Sequence, residues 1–107
     1  MTSEASLENR LTAAVKAVKG RSIKLPALVY RGIPDRLILL PRGRVFFIEL
    51  KREGAQTTKR VARHQSAWKE YLQKSGFISM RIEGRVQLEE FIHEHIEEAV
   101  RPSLRDL

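Results

Sequence analysis

Apolar side chains recur at helical spacing through Leu7, Leu11, Ala14, Val15 and Val18, which predicts a helix over Ser3 to Lys19, with Ser3 as N-cap and Gly20 as the C′ stop. Ser22 to Leu25 reads as a short strand ended by Pro26, which has no N–H to give a ladder. Ala27 to Gly32 is irregular or a second extended piece. Two apolar runs then flank Pro41-Arg42-Gly43, a sequence suited to a three-residue hairpin loop built as a type I turn followed by a left-handed glycine. That loop sets a register: Leu40 opposite Arg44, Leu39 opposite Val45, Leu37 opposite Phe47 and, one step on, Asp35 opposite Glu49. Opposed residues share a sheet face, and Lys51, two beyond Glu49, shares it too. Three charged groups thus converge at one end of a face that Leu37, Leu39, Val45 and Phe47 continue as core.

The polar stretch Glu53 to Thr57 follows, and Thr57 or Thr58 caps a helix to about Ser75 that carries Val61, Gln65, Trp68 and Leu72 on one face and stops at Gly76. Phe77 to Ile82 is a strand with weak alternation. Val86 to Val100 is a last amphipathic helix with Leu88, Phe91, Ile92, Ile96 and Ala99 inward, free either to close the core or to form a dimer surface. The resulting order, αβββαβα, predicts an α/β fold with one mixed sheet flanked by helices. Residues 1–107 suffice for a single domain.

Charge sharpens this outline. The chain carries 20 Lys and Arg against 13 Asp and Glu, a net +7, and a basic surface concentrates polyanions, which points to nucleic acid. The acids crowd into Glu89, Glu90, Glu94, Glu97 and Glu98, so the first part of the chain is more basic than its mean. With no cysteine, disulfides and thiolate metal sites are excluded, in keeping with a reducing cytoplasm. No apolar run approaches the roughly 20 residues of a membrane span. No phosphate-binding glycine loop, nucleophile elbow or zinc-finger spacing is present, no histidine is assigned to a metal, and nothing implies an organic cofactor.

Two carboxylates facing each other at strand ends repel unless a cation lies between them. Hard oxygen ligands suit Mg²⁺ or Mn²⁺, with a carbonyl such as that of Leu50 completing the set. Lys51 beside them is placed to orient a water or to stabilise charge developing on a phosphate, and together these parts serve phosphodiester hydrolysis. The bland alternative is Asp35 capping a turn after Pro34 while Glu49 and Lys51 form a solvated ion pair. Helical spacing with Val61 and Leu72 assigns Trp68 to the core rather than to a base-stacking platform. Lys59, Arg60 and Arg63 on the exposed side of the same helix, and Arg31 beside the site, are candidates for phosphate contact. Arg36 points to the face opposite Asp35.

Gly32-Ile33-Pro34-Asp35-Arg36, Phe47-Ile48-Glu49-Leu50-Lys51, and Gln65 with Trp68 ahead of Gly76 resemble the VRR-NUC family, the virus-type replication-repair nuclease domains of the PD-(D/E)xK nuclease superfamily. The resemblance runs from the first helix to about Ile82. It implies a restriction-endonuclease-like αβββαβ core, with an extra C-terminal helix here, and metal-dependent nuclease activity. Asp35 and Glu49 would ligate Mg²⁺ or Mn²⁺, and Lys51 would assist the attacking water. It also implies a first-helix glutamate near the metal, Glu8 with Glu4 as the fallback; against this, Glu8 also reads as an ordinary acid favoured by a helix N-terminus. Gln65, on an otherwise apolar stripe, would position phosphate, water or Lys51, or else bond nearby backbone. The expectation is an endonuclease for branched, flapped or junction DNA in replication, repair or recombination, acting as a homodimer. The alternative is a non-catalytic basic DNA-binding module on the same fold.

Overall fold

In the computed structural model, which describes residues 2–97, the Ser3 hydroxyl accepts from the Ser6 N–H at 3.1 Å and starts helix α1, Glu4–Ala17. Its end differs from expectation. Lys19 takes the left-handed conformation (φ 65°), and the Gly20 N–H reaches back to the Val15 carbonyl at 2.9 Å while that of Lys19 reaches Lys16, a Schellman cap with lysine at C′. Gly20 serves space instead: a Cβ there would lie 2.5 Å from the Leu39 carbonyl oxygen.

Strands β1 (Arg21–Lys24), β2 (Arg36–Leu40) and β3 (Arg44–Lys51) run antiparallel, and β4 (Ile78–Glu83) joins β3 in parallel, giving the order β1-β2-β3-β4. The parallel step requires a crossover, which helix α2 (Lys59–Lys74) supplies. The β2–β3 register is the one the turn predicts, from Leu40↔Arg44 to Arg36↔Ile48. The turn itself is not type I, because Arg42 is left-handed (φ 68°) as well as Gly43 (φ 70°). Thr58, not Thr57, caps α2, its hydroxyl accepting from the Val61 N–H at 3.2 Å.

The main core lies on the sheet face opposite to the one expected. Ile38, Leu40, Phe46, Ile48, Leu50 and Ile82 point toward α1 and helix α3 (Gly84–Phe91), meeting Leu7, Leu11, Val15, Leu88 and Phe91. Leu37, Leu39, Val45 and Phe47 are half-buried on the other side. Both faces of β2 and β3 are apolar, so alternation alone does not rank them. After Phe91 the last helix widens into a π-helical turn, Ile92–Glu97, whose Ile92 and Ile96 are buried. Phe91, Ile92 and Ile96 therefore close this chain's own core. Ala99 lies outside the described residues. An Arg10–Glu89 pair with two contacts (2.8 and 2.9 Å) ties α1 to α3.

Helix α2 covers the second face sparsely. Leu72 is its one buried residue, so the helix stands off the sheet and leaves open space along the odd-numbered side chains of β3. No described helix is long and apolar enough to cross a membrane.

Candidate active site

The odd side chains at the end of β3 meet the loop that precedes β2. Gly32 (φ 83°) makes that meeting possible: a Cβ on it would fall 2.3 Å from the His64 carbonyl carbon, so only glycine lets this loop lie directly on α2. Pro34 is buried behind it. Asp35 is then fixed at two points. Its carbonyl accepts from the Leu25 N–H at 2.8 Å, prolonging the β1–β2 pairing. Its Oδ2 accepts from the Leu50 N–H at 2.7 Å.

The Asp35 and Glu49 carboxyls come within hydrogen-bonding reach of each other, and Lys51 Nζ lies 3.2 Å from Glu49 Oε2. Burial, and then the neighbouring charge of Asp35, push the Glu49 carboxyl up to about 7, with Lys51 pulling the other way. Burial also raises Asp35, opposed by the Leu50 N–H and by Lys51. Two desolvated carboxyls that favour holding a proton form a site that a cation would relieve.

A cleft of about 480 Å³ opens over this pair, lined among others by Arg31, Gly32, Asp35, Glu49, Lys51, Arg60, His64 and Gln65. A recess of about 180 Å³ adjoins it, sharing Gly32, Glu49 and Gln65 and adding Lys69, Ser79 and Arg81. The structure thus gathers Asp35, Glu49, Lys51, Gln65, Arg31 and Arg60 at one opening. Lys59 and Arg63 stay exposed on α2 outside the cleft lining. Glu8 pairs with Arg36 at 3.2 Å, whereas it is the charge of Glu4 that bears on Asp35.

Lys69 and Arg81 escape a reading of the sequence. Arg81 is brought beside Glu49 by the parallel register Glu49↔Arg81, a long-range pairing with no local signal. Trp68 departs from its assigned place: it lies outside the main core cluster, half-buried, with the rings of Tyr30 and Tyr71 set edge-on to it at 6.2 and 5.9 Å.

Among the described residues no three acidic, histidine or cysteine side chains form a ready cage. The fit to a divalent ion therefore rests on the two facing carboxylates and on backbone oxygen. A strand residue's N–H and C=O point to the same side, so the Leu50 carbonyl faces the same gap as the N–H that holds Asp35. That all-oxygen set suits Mg²⁺ or Mn²⁺.

The architecture is shared with known nuclease-type domains. A solved structure described as "VRR_NUC domain" superposes with a TM-score of 0.74 and 25% identity, over 89% of this chain and 99% of that one. A second, "VRR_NUC domain protein", gives 0.65 at 19% identity, over 91% and 90% of the two chains. No family model matches the sequence. A curated relative, "Putative nuclease p44" of Acyrthosiphon pisum secondary endosymbiont phage 1, is 38% identical over 55 residues, 51% of this chain. The match spans 59% of that phage protein. The mixed sheet with its flanking helices is thus a nuclease-type α/β fold. The chain carries a VRR-NUC domain.

Proposed function

We propose that the chain is a Mg²⁺- or Mn²⁺-dependent DNA endonuclease of the PD-(D/E)xK type, selective for branched, flapped or junction DNA in replication, repair or recombination. The observation that carries this reading is the facing pair of half-buried Asp35 and buried Glu49, with Lys51 at 3.2 Å from Glu49, in a cleft also lined by Arg31 and Arg60. Asp35, Glu49 and the Leu50 carbonyl would hold the ion, and Glu4, rather than the Arg36-paired Glu8, is the first-helix acid whose charge bears on Asp35. Such an ion, when bound, polarises a phosphoryl oxygen and makes water a better nucleophile at neutral pH.

The chain's own groups do the rest. Glu49, its charge relieved, leaves the Lys51 ammonium free to face the scissile phosphate and stabilise the added negative charge of the transition state. Gln65 offers an amide to the same phosphate or to the attacking water from across the cleft. Arg31 and Arg60 hold the strand by its phosphates, a contact that reads backbone shape rather than base sequence. One chain presents one such centre, so cutting both strands of a junction takes two copies, and the active form is a homodimer.

Supercoiled plasmid incubated with Mn²⁺ is nicked by the wild-type chain and left intact in chelator. Asp35→Ala lowers the nicking rate by at least about a hundredfold, since the ion it would hold supplies the stabilisation of the transition state. Equal nicking by the variant overturns the assignment. A panel of linear, flapped and four-way substrates reads the selectivity, and equal rates on all three remove it.

A further inference from the structure

The notch beside Trp68 is not explained by folding. Ala67, Trp68 and Tyr71 line an open space of about 260 Å³, and Tyr71 and Tyr30 remain 61% and 52% exposed. The Trp68 and Tyr71 planes meet at 87°, and the small Ala67 side chain leaves the corner between them empty. A flat ring can lie on one wall of such a corner with its edge against the other.

The surroundings decide what that ring belongs to. Arg60, Arg63 and Lys74, the last paired with Glu70 at 2.8 Å, occupy the same exposed stripe of α2 as Ala67 and Tyr71, at helical spacing. Pressing two copies of this stripe together would oppose like charges, whereas a polyanion bearing flat bases meets cations and rings alternately. The helical rise puts Tyr71 about 10 Å along α2 from His64 at the cleft, a span of a few nucleotides at most. Duplex DNA presents no free base faces to such a corner; a single strand does, and stacking on aromatic rings tolerates any base.

We infer that the Trp68–Tyr71 corner, with Tyr30 behind it, is a stacking site for unpaired bases, so that a single-stranded branch of the substrate runs along α2 into the cleft. The inference rests on the proposed nuclease reading for its substrate class, but its test needs no cleavage. Trp68 is the chain's one tryptophan, so its fluorescence reports on this corner alone. In chelator, titration with a single-stranded thymidine oligonucleotide quenches that fluorescence, and an abasic strand carrying the same number of phosphates leaves it nearly unchanged. Tyr71→Ala, at a largely exposed position that leaves the fold intact, weakens single-strand affinity about tenfold; Tyr71→Phe restores it. Quenching that is equal with the abasic strand overturns the site, as does unchanged affinity in Tyr71→Ala. So does a dimer that Tyr71→Arg dissociates, since the corner would then be filled by a second copy. Failure of the plasmid assay leaves the quenching result standing, which separates this site from the chemistry.

Discussion

Glu49 sits where burial and a neighbouring carboxylate both oppose its charge, and its carboxyl titrates near 7 in the fold, against 4.5 for the free group. Between those values the folded chain holds a proton that the unfolded chain has released. Stability of the metal-free protein therefore falls as pH rises through that window. The cost is absent below about 4.5 and full above about 7. Glu49→Gln removes the charge, so in chelator the variant gains about 2 kcal/mol over wild type at pH 8 and nothing at pH 4. Urea melts at the two pH values measure the difference. Identical pH profiles for the two proteins would show that Glu49 is not under this electrostatic pressure. The same variant loses plasmid nicking, so a gain in stability and a loss of activity arise from one atom exchange.

At the scale of elements, the C-terminal ends of α1 and α2 offer a comparison within one molecule. α1 and α2 close with the same pair of backward hydrogen bonds, Gly20 to Val15 and Phe77 to Leu72 being the longer-range member of each. The left-handed position is Lys19 in one and Gly76 in the other. A side chain at that position costs energy that glycine avoids. Lys19→Gly should stabilise the fold by about 0.5–1 kcal/mol, the left-handed cost less the greater freedom of glycine in the unfolded chain, read as a shift in the urea midpoint with no change in DNA affinity. These ends also show what a sequence conceals. Glycine is expected at a left-handed position, so a lysine or an arginine there, as at Lys19 and Arg42, gives no warning. The β2–β3 register was legible because loop length fixes pairing arithmetically, and the meeting of Asp35 with Glu49 follows from it. The choice of core face was not legible, since Leu37 and Leu39 are as apolar as Ile38 and Leu40. Arg81 and Lys69 enter the site only through the β3–β4 pairing and the placement of α2, neither of which leaves a local trace.

Over the whole molecule, the sheet separates charge. α2, on one face, bears Lys59, Arg60, Arg63, Lys69 and Lys74 against Glu70 alone. On the other face, α3 and the π-helical turn bear Glu89, Glu90, Glu94 and Glu97 against Arg85, with Arg10 of α1 paired to Glu89. Among the described residues positive charge is thus denser on α2, on the cleft side, which favours approach of a polyanion from there. With about three phosphates engaged, by Arg31, Arg60 and Arg63, DNA affinity should drop roughly fortyfold between 50 and 200 mM salt. Fluorescence anisotropy in chelator measures the slope, and a flat salt response would place the binding energy elsewhere.

Strand β3 serves both faces at once. Ile48 and Leu50 are sealed beneath the sheet while Glu49 and Lys51 look out above it. Adding or deleting a single codon within this strand would exchange the two sets in one event, putting acid and ammonium into the interior and aliphatic carbon into the cleft. Its length is consequently the least negotiable dimension of the gene. Arg52 to Thr57 lies outside the strand, so length differences between relatives should be found there rather than within β3.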